Sequence, residues 1–389
     1  MICLRLNLVG VMVSGCYIFK SYKNKSYNII ITIIKIILLN SMNIRPWVPG
    51  TFPIPFFQTW CCSSSSVTPS MHATSLADKN DLLLWSQLKN AGLPPKMYQC
   101  VHDNLMLNNV GIDCIHYLFD DNECRAFIAR EYPDHVLCAY DRLIPTAFKA
   151  DLWRYCVLYK YGGVYLDIKL RFLGGGGGGG VSLRAIVERW LGGGVGAGDG
   201  LFVLERDAVG LWPTGRFGIH NAFIITKPKN PILLECIYRI VSASRSDDIG
   251  GCGGGVTDAY GVGWMTRPLF VTGPGLLGDV WRWWRSSSLG VDGADSYATM
   301  APYFRLFFEG DGRIGYFMDG DGDRDGGRGG SEGEEGKYIQ LLKVYEDYQE
   351  EYHHMMRHTN CVPHYTVLWS RGLVWRGGGS APLLESHSS

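Results

Sequence analysis

The spacing of hydrophobic positions changes period at Gly162. Upstream, Thr146 to Tyr161 is apolar around nearly the whole circumference of a helix, which predicts a buried one. Asp151, Arg154 and Tyr155 share one face of it, at spacings of three and four. Pro145 suits the first turn, where its missing N–H costs nothing, and Gly162-Gly163 suit the stop. Past the glycines, Val164, Leu166 and Ile168 alternate onto one side of a strand and leave Tyr165, Asp167 and Lys169 on the other. Charged groups therefore project together from the carboxyl end of a buried strand, where open α/β sheets hold their ligands.

The rest of the chain alternates similarly between strand and helix signals. Ile54 to Trp60 reads as an opening strand, and Asp78 to Ala91 as a polar helix. Tyr117 to Phe119 reads as a strand running into a helix from Glu123 to Tyr132, with Asp121 or Asn122 as its N-cap. Strands follow at Leu201–Leu204 and Ala222–Thr226, then a helix from Pro231 to Ser242. Phe270 to Gly275 reads as a strand end and tight turn, and Lys337 to Met356 as one long amphipathic helix.

Composition modifies this picture in two places. Glycine is unusually common, at 50 residues, and is concentrated near 174–180, 192–200, 250–255 and 310–336. These stretches read as flexible low-complexity insertions rather than phosphate-binding loops, because a glycine homopolymer specifies no turn and no helix start. Residues 1–41 hold two apolar stretches, each shorter than the roughly 20 residues a spanning helix needs. A signal anchor, a cleaved signal peptide and an upstream extension before Met42 are the competing readings. A Golgi or other secretory-pathway membrane follows from an anchor, and a cytoplasmic protein from its absence. Residues 42–376 are expected to form the working domain and 377–389 a disordered tail. The 37 basic and 37 acidic residues balance, without a basic run, which argues against nucleic acid as the main partner. The 12 cysteines form no C-x-x-C pair and read as buried thiols, with disulfides an option if the domain is lumenal. Asp321 to Glu332 satisfies a calcium-loop pattern, yet Arg328 stands where a hydrophobic residue belongs, so chance explains the match better.

The segment FKADLWRYCVLYKYGGVYLDIK, from Phe148 to Lys169, resembles the core motif of the DXD-containing glycosyltransferases of the sugar-binding-region family. Fungal initiating mannosyltransferases and inositol phosphorylceramide mannosyltransferases belong to it, and clostridial glucosylating toxins are distant relatives. Ile54 to Trp60, the Asn221-Ala-Phe-Ile segment, Thr272-Gly-Pro and His364-Tyr-Thr-Val-Leu-Trp369 resemble further segments of the family. Lys169 departs from the pattern, standing where the triplet has its second Asp.

The resemblance implies an α/β fold of the GT-A type, Rossmann-like, that moves a sugar from a nucleotide-diphosphate donor to a hydroxyl acceptor with retention. A hexose, mannose among the candidates, would pass to a glycan, glycolipid or protein. Carried over, Asp151 and Arg154 would bind hydroxyls of the donor sugar, a carboxylate accepting and a guanidinium donating. Locally they also read as an ion pair at i, i+3. Asp167 would meet the ribose or a divalent cation, manganese or magnesium, while Lys169 puts that cation in doubt. Trp60 would stack on the base or serve as a core or lid aromatic, and Tyr165 would line the substrate site. Asn221 would lie beside the sugar or close a turn, and His364 would reach the diphosphate or a metal, or simply pack. Asp120 is better explained as part of a helix cap than as a nucleotide contact. A catalytically silent sugar-nucleotide-binding or scaffold protein is the alternative.

Overall fold

The chain was analysed as a computed structural model, which describes residues 44–60, 93–173, 181–191, 200–205, 217–245, 268–289, 304–309, 312–318, 337–358, 363–371 and 373–376. Strand β1 (Ile54–Thr59) leads through helix α1 (Pro95–Leu107) to β2 (Cys114–Phe119). Helices α2 (Asp121–Glu131), α3 (Asp134–Arg142) and α4 (Thr146–Tyr161) come next, then the short strands β3 (Gly163–Leu166) and β4 (Leu170–Phe172). Helix α5 (Leu183–Trp190), strands β5 (Gly200–Glu205) and β6 (Ile219–Thr226), and helix α6 (Pro231–Arg245) follow. A 3-10 turn at Pro268–Phe270 opens helix α7 (Pro274–Leu289). Strands β7 (Leu306–Glu309), β8 (Arg313–Met318) and β9 (Lys337–Val344) precede helices α8 (Tyr348–His358) and α9 (Tyr365–Ser370).

The strands form one nine-stranded sheet in the order β2-β1-β3-β6-β5-β7-β8-β9-β4. β2, β1 and β3 run parallel, β6 pairs antiparallel with both β3 and β5, and β7, β8, β9 and β4 continue in antiparallel steps after a parallel β5–β7 pair. This mixed α/β order forces curvature. β3 and β4 are six strand positions apart, about 29 Å in a flat sheet at strand spacings of about 4.8 Å. Yet Leu166 and Leu170 lie four residues apart, at most about 14 Å along the chain. The sheet therefore curls until its last strand returns beside its third. The free edge of β4 is closed by buried Asn104 of α1, whose Nδ2 donates to the Leu170 carbonyl at 2.7 Å and whose Oδ1 accepts from the Phe172 amide at 2.8 Å.

Helix α4 is buried along most of its length, as its apolar circumference predicts. Its exit depends on two glycines with positive φ, Gly162 at 65° and Gly163 at 96°. A Cβ on Gly162 would stand 2.6 Å from Pro228, and one on Gly163 2.4 Å from the Pro55 carbonyl oxygen. Only glycine lets β3 lie this close to β1 and to the turn after β6.

Several expectations need correcting. Pro145 is the N-cap residue of α4, outside the helical turn. β3 stops at Leu166, because Asp167 to Lys169 form the turn into β4. Asp120 is the N-cap of α2, in a capping box with Glu123, so the cap lies one residue before the expected positions. Phe270 to Gly275 holds the end of a 3-10 turn and the start of α7, with no strand. Lys337 to Met356 divides into β9 and α8, because Lys337–Val344 finds a strand partner in β8 and Asp347 takes a φ of 65°. The glycine-rich 310–336 stretch contains β8, an interior strand, and Gly200 opens β5. The leader, the Asp78–Ala91 helix, the runs at 174–180 and 250–255, the calcium-like loop and the 377–389 tail lie outside the described residues. Among the described residues no helix is long and apolar enough to cross a membrane.

Candidate active site

The carboxyl end of β3, the inward face of α4 and the start of β6 converge on one guanidinium. Arg154 Nη1 donates to the Asn221 backbone carbonyl at 2.7 Å. Its Nη2 lies 3.0 Å from Asp151 Oδ1 and 3.4 Å from Asp167 Oδ1, and its Cζ sits 4.3 Å from the centre of the Tyr165 ring. The expected i, i+3 ion pair is thus present, inside a larger cluster that ties α4, the β3–β4 turn and β6 together. Arg154 is 5% exposed and Asp151 8%, so the cluster is paid for by mutual charge neutralisation and hydrogen bonds.

Both oxygens of Asp151 are engaged. Oδ1 accepts from Asn221 Nδ2 at 3.0 Å and Oδ2 from Thr272 Oγ1 at 2.8 Å. Burial pushes its pKa above the ordinary carboxylate value, against the opposing pull of Arg154 and these hydrogen bonds. Asp167 goes the other way. Burial alone would raise it, but the charges of Arg154 and Lys169 and the Tyr165 hydroxyl hold it below the ordinary value. Its Oδ1 accepts from Tyr165 Oη at 2.7 Å, and its Oδ2 lies 3.3 Å from Lys169 Nζ. The Asp167 amide donates to the Ala222 carbonyl at 2.7 Å, which fixes the turn against β6.

The remaining expected residues divide. Asn221 joins the cluster through Asp151 and also donates to Tyr155 Oη at 3.3 Å. Tyr165 is buried with its hydroxyl on Asp167, so in this arrangement it positions the carboxylate. His364 caps α9, accepting from the Thr366 amide at 3.4 Å, and the Lys169 charge reaches it. Trp60 stands apart, buried in the hydrophobic core at the end of β1.

The structure adds residues that the sequence did not single out. Thr272, in the Thr-Gly-Pro segment read as a packing turn, bonds Asp151 directly and accepts from Tyr155 Oη through its carbonyl at 2.8 Å. Its signal was that segment itself. Tyr348 lies with its ring centre 5.8 Å from Lys169 Nζ, and Tyr365 is within electrostatic reach of both Asp151 and Lys169. His220 stacks on Phe308 at 3.9 Å with its Nδ1 3.1 Å from Glu205 Oε1. No spacing in the sequence links Tyr348 to the central motif, whereas Tyr365 lies in the His364–Trp369 segment and His220 directly precedes Asn221.

A divalent cation at Asp167 does not suit this donor set. The carboxylate already faces two cationic side chains, and a third positive charge there would be repelled. Among the described residues no three His, Cys, Asp or Glu side chains gather where they could hold a metal ion.

Comparison with known proteins adds to this geometry. The family described as glycosyltransferase sugar-binding region containing DXD motif matches residues 95–173, from α1 through β4. In these residues the chain is similar to that glycosyltransferase family. Inositol phosphoceramide mannosyltransferase 3 of Schizosaccharomyces pombe is 45% identical over 56 residues, 14% of this chain and 15% of that protein. The chain thus spans 15% of the length of that curated relative in the matched part. A solved structure, the PaToxG glycosyltransferase, superposes with a TM-score of 0.33 at 13% identity, covering 68% of this chain and 78% of that one. The matched residues include Asp151, Arg154, Tyr165, Asp167 and Lys169, whereas Asn221, Thr272 and His364 come from beyond them.

Proposed function

We propose that the protein is a glycosyltransferase of the GT-A type, transferring a hexose from a nucleotide-diphosphate sugar to a hydroxyl acceptor. The observation that carries this reading is the buried Asp151–Arg154–Asp167 cluster, set at the carboxyl end of β3 inside the sugar-binding region. Two carboxylates and a guanidinium in fixed relation can accept from and donate to the hydroxyls of a pyranose ring. Asn221 and Thr272 hold Asp151 in place, so its oxygens keep their direction when the sugar arrives. The pKa values of the two carboxylates shift in opposite directions, Asp151 upward through burial and Asp167 downward, despite burial, under the charges of Arg154 and Lys169.

Mannose is the donor sugar we favour, on the name of the fungal relative, with retention and a glycan, glycolipid or protein acceptor as the accompanying proposals. A catalytically silent binding protein is the second reading, favoured by the pairing of Lys169 with Asp167, the one carboxylate left in the triplet. Release of free nucleoside diphosphate from candidate donor sugars separates the two. In the same assay Asp151→Asn should lose about 2 kcal/mol or more of transition-state stabilisation, in a variant that still melts cooperatively. Turnover near the wild-type rate would take Asp151 out of the site.

A further inference from the structure

We propose that Lys169 binds the donor's diphosphate directly, so that nucleoside diphosphate binding by this protein needs no divalent ion. The inference rests on the donor-binding reading above and specifies how the leaving group is held.

The charges of the cluster make the case. Asp151 and Asp167 are matched by Arg154 and Lys169, so the site is neutral before any ligand enters. A pair of carboxylates without that lysine would need an added cation before accepting a diphosphate. Here the cation is already part of the chain. Lys169 is also free to move where its neighbours are not. Its carbonyl accepts from the Tyr345 amide at 3.0 Å, and the Leu170 amide donates to the Asp167 carbonyl at 3.0 Å, so the backbone of the turn is held from both sides. The ammonium, on a flexible four-carbon stem and with a side chain 30% exposed, can turn from Asp167 toward an incoming phosphate.

That rotation leaves nothing stranded. Asp167 would keep the Tyr165 hydroxyl at 2.7 Å and Arg154 at 3.4 Å, so losing Lys169 does not orphan a buried charge. The Tyr348 ring, 5.8 Å from the ammonium, forms an electron-rich wall beside the same space. A point charge that leaves a partly shared carboxylate for a diphosphate exchanges one ionic contact for a stronger one.

Calorimetric titration of the full chain with UDP and with GDP, in excess chelator and then with manganese, tests this. Wild-type affinity is expected to agree within about twofold between the two conditions. Lys169→Ala should weaken binding by about tenfold or more in both, while Lys169→Arg should retain most of it. Lys169→Asp places a second carboxylate beside Asp167, and any binding it keeps should require manganese. Thermal melts confirm that each variant is folded. Wild-type binding that chelator abolishes and manganese restores overturns the lysine proposal and leaves donor binding intact. So does Lys169→Ala binding as tightly as wild type. An absence of binding to either nucleotide in every condition overturns the donor-binding reading as well.

Discussion

The two ends of the sheet are built on different terms. β2, β1 and β3 are parallel, lie within residues 54–166, and have apolar sequences that announce them as buried strands. β7, β8 and β9 are antiparallel and lie in sequence dense with glycine and charge, where a composition-based reading finds linkers and a helix. The first end places the charged cluster. The second end closes the sheet around it, because β9 pairs with β4 and its following residue Tyr345 bonds the Lys169 carbonyl. Glycine therefore has opposite meanings in one chain. At Gly315 a Cβ would stand 2.2 Å from the Ile339 carbonyl oxygen, so the residue admits a neighbouring strand and marks no linker.

The sharpest test of this contrast is deletion. Removing residues 312–318 takes out the strand between β7 and β9, and the variant should lose cooperative thermal unfolding altogether. Halving the seven-glycine run at 174–180 should leave the melting temperature within about 2 °C, since loop closure depends only weakly on length. Equal responses to the two deletions would erase the distinction. Next in size is Arg154→Ala, which leaves two buried carboxylates without their shared cation and should cost about 3–5 kcal/mol of stability. Denaturant unfolding measures it, and a loss below about 1 kcal/mol would mean that Asp151 and Asp167 are satisfied without the arginine. The smallest effect belongs to Gly315→Ala. Forcing a methyl group against the β9 backbone should cost about 1–3 kcal/mol, read as a lower denaturation midpoint with an unchanged slope. A neutral substitution would show that β8 and β9 have room to part.

Legibility from sequence followed the same divide. The α4–β3 unit was readable because one burial pattern, an all-round apolar helix followed by alternation, leaves few other folds for Phe148 to Leu166. The partnership of Asp151 with Arg154 was readable for a local reason, their spacing on one helix. The attachment of Arg154 to Asp167 and to the Asn221 carbonyl was not, because those contacts depend on how β3 and β6 pair. Thr272 was within a quoted segment but its hydroxyl contact lies 121 residues from its partner in sequence. Tyr348 was hidden by a wrong period, since Lys337 to Met356 looked helical throughout and only strand pairing with β8 divides it. Pattern reading works where neighbours in sequence decide the structure, and fails where distant strands do.

The return of β4 to the far side of the sheet has a consequence for the order of events on the ribosome. The region that matches the family model is complete at residue 173, but β9, the only strand β4 pairs with among the described residues, begins at Lys337. About 160 residues must still be made, which at typical speeds of synthesis takes roughly 10 to 30 seconds. During that interval β4 has Asn104 along one edge and nothing along the other, and the Lys169 carbonyl lacks the Tyr345 amide. The turn that carries Asp167 and Lys169 therefore waits, beside an open strand edge, for the last part of the chain to emerge.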